Sequence, residues 1–275
     1  MSLELELGLS AAQEFLFGHD PELPLDVRIS DQSRHAAYRE LRLSYASSSP
    51  ARVPAVLTLP LHDGPWPAVI VQHGGGQSRD DPLVRSLMRR WTAAGFACFA
   101  IDAPGHGERA VRAHGARGRA FFEYLRSRLM NVIDLRHGID LLAESGADVG
   151  RIGYWGVSMG GGIGVMLMAA DPRVRAACLC LAGARARRDW PAAVHAAADF
   201  AALHADPLAL APLLAGREVL MLNGTEDSVV PREDAERLFH ALPEPKAQHW
   251  FRTGHKVTPA MLRQSREFLE RALSA

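Results

Sequence analysis

Cysteine is scarce in this chain, with three in 275 residues. Three is too few, and odd in number, for a disulfide scaffold. Lysine is scarcer still: Lys246 and Lys256 are the only two, so arginine carries almost all the positive charge. Basic and acidic residues number 31 each, and the formal net charge is zero. No basic stripe stands out, which argues against a nucleic-acid or polyanion partner. No run of eighteen apolar residues is present, so no membrane span is expected. Glu4 and Glu6 interrupt the first apolar stretch and no basic region precedes it, unlike a secretory signal. A cytoplasmic, reducing location is the expectation. The remaining bulk properties, 48% hydrophobic and 23% charged residues, are ordinary for one soluble globular domain with a large core.

The three cysteines fall in apolar runs. Cys98 lies in Gly95-Phe-Ala-Cys-Phe-Ala-Ile-Asp102, and Cys178 and Cys180 lie in Val174-Arg-Ala-Ala-Cys-Leu-Cys-Leu-Ala182. They are expected to be buried small hydrophobes. The Cys-x-Cys spacing lacks a second ligand pair, so no metal site is predicted from it.

Along the chain, residues 1–36 are mixed and show no clear strand; Ala11–Phe17 could form a short helix. This arm is a candidate for packing on the domain or for a homodimer contact. Residues 40–45 alternate polar and apolar as a half-buried strand does, and 53–60 return as a second. Strands and helices then alternate: strands at 67–72, 96–101, 151–155, 174–181, 217–222 and 247–251, with helices near 82–94, 119–145, 159–170, 231–241 and 258–273. Such alternation argues a parallel sheet covered on both faces. Residues 184–215 are alanine-rich and hold Trp190 and Phe200. They read either as a small helical lid over a pocket or as an extended crossover packed on the sheet.

The candidate chemistry sits where strands end. Gly156-Val157-Ser158-Met159-Gly160 follows the apolar run 151–155 and precedes a helix. A serine on a tight strand-to-helix turn exposes its oxygen above the sheet. His73-Gly74-Gly75-Gly76 follows the β-branched run 67–72. Side-chain-free glycines let backbone N–H groups approach a developing oxyanion, often the largest single catalytic term. Gly75 and Met159 are the expected donors, with Gly74 the alternative to Gly75. No Lys-Ser/Thr follows the glycines, which disfavours a phosphate loop. Gly156-x-x-x-Gly160 likewise does not make a dinucleotide fingerprint. The apolar run ending at Leu222 leads to Glu226 and Asp227. Asp227 is the chosen acid, Glu226 its competitor, and Asp227 also suits a turn or cap near Pro231. His255 lies in the loop between the last strand and the last helix, whose N-cap and first position are Thr258 and Pro259. The order Ser158, Asp227, His255 is the one a nucleophile elbow requires.

These residues resemble those of the α/β-hydrolase superfamily, and within it the chain is similar to dienelactone-hydrolase-like and acyl-peptidase-like serine esterases. The motifs that carry the resemblance are His73–Gly76, Asp102-Ala-Pro-Gly-His-Gly-Glu-Arg109, Gly156–Gly161, Gly224-Thr-Glu-Asp227 and Gly254-His255. The resemblance covers roughly residues 50–273. It implies one domain with about eight strands, an antiparallel start and a Ser-His-Asp triad. It departs in detail: dienelactone hydrolases proper carry cysteine where Ser158 stands, and hormone-sensitive-lipase relatives carry an acid where Val157 stands.

The expected reaction is hydrolysis of a small-molecule carboxylic ester through an acyl-enzyme, without metal or organic cofactor. A histidine base works only when neutral, so activity should rise with pH through the ordinary imidazole range. His106 and Arg109 follow the strand ending at Ile101. They are candidates for loop-fixing and, with Trp190, for substrate contact. The rival readings are an amidase or exopeptidase on the same fold, and a non-catalytic binding protein.

Overall fold

The computed structural model describes residues 16–48, 51–110, 117–184 and 206–274, the side chains of 117–125 excepted. Nine strands form one sheet: β1 (Arg28–Arg34), β2 (Tyr38–Tyr45), β3 (Val53–Pro60), β4 (Trp66–Gln72), β5 (Ala97–Ile101), β6 (Ala147–Val157), β7 (Val174–Cys180), β8 (Glu218–Gly224) and β9 (Lys246–Phe251). Among the described residues, six helices accompany them: α1 (Pro82–Ala93), α2 (Arg117–Glu144), α3 (Met159–Ala170), the short α4 (Pro207–Leu210), α5 (Arg232–Ala241) and α6 (Pro259–Ala272). Among the described residues, no helix is long and apolar enough to cross a membrane.

The strand order is β1-β2-β3-β5-β4-β6-β7-β8-β9. The pairs β1–β2, β2–β3 and β3–β5 are antiparallel, and the five pairs from β5 to β9 are parallel. This is the α/β-hydrolase arrangement. The inner parallel strands β4, β5, β7 and β8 and the second half of β6 are buried on both faces, whereas the edge strand β9 is not, and side chains alternate between two cores. Ala68 and Ile70 of β4 join one core with Leu135 and Ile139 of α2, Ile163 of α3 and Leu238 of α5. Val69 and Val71 face the other with Leu87 and Trp91 of α1 and Met261 and Leu269 of α6. That two-sided burial is why these strands read as continuous apolar runs. The three cysteines are free and fully buried.

The layout creates the site. Neighbouring strands β4 and β6 feed helices on opposite faces, α1 on one and α3 on the other. The carboxyl ends of two such neighbouring strands are where ligands bind in open α/β sheets.

Two differences from the sequence reading stand out. Residues 28–34, within the arm read as strandless, form β1, so the strands number nine rather than about eight. Six of its seven residues are exposed and the seventh is half-buried. Backbone pairing with β2 holds it, and with no apolar face it leaves no alternation to read. The segment 151–155 is the inner part of the longer β6, whose first half is more exposed. Residues 11–15 of the expected short helix and 185–205 of the expected insert, with Trp190, lie outside the described residues. Of the insert's end, α4 and a 3-10 turn at Ala211–Leu214 are seen.

Candidate active site

Ser158 follows the last residue of β6 with φ 54° and ψ −114°. A side chain with positive φ costs on the order of 1–3 kcal/mol and persists only where its surroundings impose it. Here the Ser158 N–H donates to the Cys180 carbonyl of β7 at 2.8 Å, and its carbonyl accepts from the Gly161 N–H at 2.9 Å. The turn closes only over glycines. A Cβ on Gly156 would stand 2.5 Å from the Gly160 carbonyl oxygen, and one on Gly160 would stand 2.6 Å from that of Gln72. Met159 occupies the first helical position, where an N–H has no acceptor within the helix. The Ser158 hydroxyl caps nothing and makes no hydrogen bond among the described residues.

The loop after β4 is tightly held. His73 is buried, accepts at Nε2 from the Ala103 N–H (3.1 Å), and so carries its proton on Nδ1, which donates to the Gly74 carbonyl (2.7 Å). Burial lowers its pKa from 6.5 and keeps the ring neutral. The Gly74 N–H donates to Gln77 Oε1 at 2.8 Å. Gln77 in turn donates to Asp81 at 2.9 Å, and Asp81 caps α1 through the Leu83 N–H. Gly74 is thus committed as a donor. Gly75 is exposed, and a Cβ built on it would meet nothing within 4 Å. Gln77 went unnoticed in the sequence. Its signal was a polar side chain one turn before an Asp-Pro helix start.

The loop after β5 is built around Asp102, which has no exposed surface. It accepts from the Arg79 N–H (2.8 Å), the Arg79 guanidinium and the Glu108 N–H (2.9 Å). Arg109 donates to the Asp102 carbonyl (3.1 Å) and to the buried Asp134 carboxylate (2.6 Å). That commits Arg109 to the scaffold. Burial pushes the Asp134 carboxyl up, against the opposing pull of Arg109. His106 is half-buried, its Nδ1 3.1 Å from the Pro104 carbonyl and its ring 5.2 Å from that of His73.

The loops after β8 and β9 are zipped together. The Thr225 N–H donates to the Phe251 carbonyl (2.8 Å) and the Glu226 N–H to that of Thr253 (3.0 Å). This brings His255 Nδ1 to 2.8 Å from Asp227 Oδ2. The other oxygen of Asp227 accepts from the Val229 and Val230 N–H groups, both at 2.9 Å. Asp227 therefore stabilises its own turn and orients the imidazole at once. Its side chain is 2% exposed and that of His255 is 24% exposed. A carboxylate oxygen accepts only, so Nδ1 of His255 is the protonated nitrogen and Nε2 is left as a base. Glu226 points elsewhere: it is 58% exposed and pairs with Arg252 at 3.2 Å. Thr258 caps α6 through the Met261 N–H.

Residues 64–212, more than half of the chain, match the serine aminopeptidase (S33) family. The chain belongs to that family. The S33 match includes His73–Gly76 and Ser158; Asp227 and His255 lie beyond it. No curated sequence matches the chain at a significant level. Among solved structures, an acetyl xylan esterase from Paenibacillus sp. R4 superposes with TM-score 0.79 at 17% identity, covering 99% of this chain and 95% of its own. Acetyl xylan esterase 1 from Thermoanaerobacterium sp. JW/SL YS485 gives 0.73 at 20%, covering 97% and 94%. A cold-adapted esterase from an Arctic intertidal metagenomic library gives 0.70 at 24%, covering 89% and 98%. At these identities the likeness is one of fold. On this S33 scaffold, Ser158, Asp227 and His255 all stand just past the carboxyl ends of parallel strands, and the Asp227–His255 bond joins two of them.

Proposed function

We propose that the protein is a serine hydrolase that cleaves carboxylic esters, with Ser158 as nucleophile, His255 as base and Asp227 as the acid that orients it. The observation that carries this reading is the 2.8 Å bond from His255 Nδ1 to Asp227, which leaves Nε2 free on the sheet edge where Ser158 sits strained. Strands β6 and β8 are separated by β7 alone, two spacings or roughly 10 Å. An aspartate–imidazole pair is long enough to span that gap.

In the reaction, Ser158 Oγ bonds to the acyl carbon as its proton passes to His255 Nε2. The N–H groups of Gly75 and Met159 receive the oxyanion. The C–O bond to the alcohol breaks, and the imidazolium returns the proton to the leaving oxygen. Water then repeats the sequence on the acyl-enzyme, releasing the acid and restoring Ser158. Asp227 stays ionised throughout and stabilises the imidazolium. The Ser158–His255 contact closes with substrate bound; free enzymes commonly hold it long.

The acetyl xylan esterases among the structural neighbours support a short acyl group. The family's aminopeptidase description favours a second reading, cleavage of a peptide or amide bond by the same residues. Paired p-nitrophenyl esters of rising acyl length and the matched p-nitroanilide separate the two. Faster turnover of short esters than of the anilide is expected, with a loss of about a thousandfold or more in Ser158→Ala. Anilide cleavage at the ester rate would replace the first reading by the second, and an unaffected Ser158→Ala would end both. A cytoplasmic location belongs to the same proposal, supported by three free, buried cysteines.

A further inference from the structure

We propose that His19, His137 and Asp140 form a binding site for one zinc ion that fastens the N-terminal segment to α2, sharing no residue with the candidate active site. His137 and Asp140 are three residues apart on α2 and so lie on one face of the helix. His19 comes from the segment just after Phe17, which is fully buried and whose carbonyl accepts from Arg136 Nη1 at 2.5 Å. The ligand atoms of the three side chains all lie within 4.8 Å of one another. His19 Nε2 stands 2.5 Å from Asp140 Oδ2, and His137 Nδ1 stands 3.7 Å from the same oxygen.

The decisive atom is His137 Nδ1. Its side chain has no exposed surface, and this nitrogen has no hydrogen-bond partner among the described residues. A buried polar atom without a partner lowers stability unless something satisfies it. The other nitrogen, Nε2, lies 3.2 Å from the Ser48 hydroxyl. With the proton on Nε2, Nδ1 presents its lone pair toward Asp140. A metal-bound histidine is usually held by such a bond at its far nitrogen.

The spacing also fits. Two tetrahedral ligands bound to zinc at about 2.0–2.1 Å stand about 3.4 Å apart. The 3.7 Å gap between His137 Nδ1 and Asp140 Oδ2 is close to that. The His19–Asp140 contact would widen by about 0.9 Å as the ion replaces the shared proton. Two imidazoles and one carboxylate suit zinc or another late first-row divalent ion, with water as fourth ligand. Calcium and magnesium need more oxygen donors than are present.

The charges nearby are matched. Arg173 binds Asp140 Oδ1 at 2.6 Å, leaving Oδ2 to face the histidines. Arg173 is also paired with the buried Asp171 at 2.7 Å, and Arg136 lies 3.5 Å from that carboxylate.

The test is titration of chelator-treated full-length protein with Zn²⁺ against a chromophoric chelator, beside His137→Ala and His19→Gln. His19→Gln keeps a donor for Asp140, so it can fold normally even where His137→Ala does not. One zinc per chain is expected, with affinity falling at least tenfold in each folded variant. Zinc at a hundredfold above Kd should raise Tm of the unsubstituted protein by about 5 °C or more. Cobalt should give the visible bands of a tetrahedral site, absent in the variants. Absence of stoichiometric binding, binding unchanged in His19→Gln, or a Tm indifferent to zinc overturns the proposal.

Discussion

Two histidines stand beside glycines in loops at the carboxyl edge of the sheet, and they differ in what they leave unused. His73, after β4, spends both ring nitrogens on the scaffold, one on the Gly74 carbonyl and one on the Ala103 N–H. His255, after β9, spends one nitrogen on Asp227 and keeps the other. The carboxylates follow the same division. Asp102 is locked by Arg79 from the loop after β4 and by the backbone amides of Arg79 and Glu108. Asp227 satisfies its turn with one oxygen and lends the other to an imidazole. The β4–β5 loops thus spend their polar groups on one another, and the β8–β9 loops leave one imidazole nitrogen without a hydrogen bond among the described residues. Chemistry is sought at atoms whose bonding capacity the fold leaves open.

The sharpest way to break this comparison is to make the same substitution on both sides. Asp227→Asn should lower kcat for ester hydrolysis by about 10³–10⁴-fold, because the amide favours the wrong imidazole tautomer. Its Tm should change little, since the amide oxygen can still accept from Val229 and Val230. Steady-state kinetics beside calorimetry would show both. Asp102→Asn should do the reverse. Leaving Arg79 without its buried partner costs about 3–5 kcal/mol. Thermal unfolding should fall by roughly 10 °C, while the folded fraction keeps most of its turnover. If Asp102→Asn abolished kcat at full stability, the division would be wrong.

His73 gives a smaller effect. Its folded pKa lies below the ordinary 6.5, because burial disfavours the charged ring. Between the folded and ordinary values the unfolded chain binds more protons, so stability rises with pH there. The contribution is present above about pH 6.5 and is lost as pH falls toward the folded pKa. Tm measured from pH 7.5 to 5.5 should decline, and less steeply in His73→Gln. Smallest of all is Glu226→Gln. The side chain is exposed and pairs with an exposed arginine, a contact worth on the order of 0–1 kcal/mol. Kinetics and Tm should stay within error of the unsubstituted protein. A large loss of kcat would move the acid from Asp227 to its neighbour.

The legibility of the chain follows burial. Strands β4 to β9 could be read because most are buried on both faces, and short β-branched or apolar runs announce that. Strand β1 could not, since Arg28–Arg34 buries no face and owes its conformation to β2 alone. Within the site, Ser158 was legible because its strained turn demands glycines on either side. The sequence favoured Asp227 over Glu226 without excluding the latter, because adjacent residues differ mainly in the direction the turn sends them; the structure pairs Asp227 with His255. The role of Gln77 is hinted at only by a polar side chain one turn before Asp81-Pro82, and the Arg79–Asp102 pair is invisible because it joins residues on two different loops.

The account rests on Ser158 being activated by His255 and Asp227, and covalent labelling tests that most directly. The protein should be treated with a fluorophosphonate and its peptides examined by mass spectrometry, beside Ser158→Ala, His255→Ala and Asp227→Asn. One adduct per chain on the peptide carrying Ser158 is predicted, absent in Ser158→Ala and strongly slowed in the other two. Folded protein that stays unlabelled, carries its adduct on another residue, or labels equally fast without His255 would contradict it.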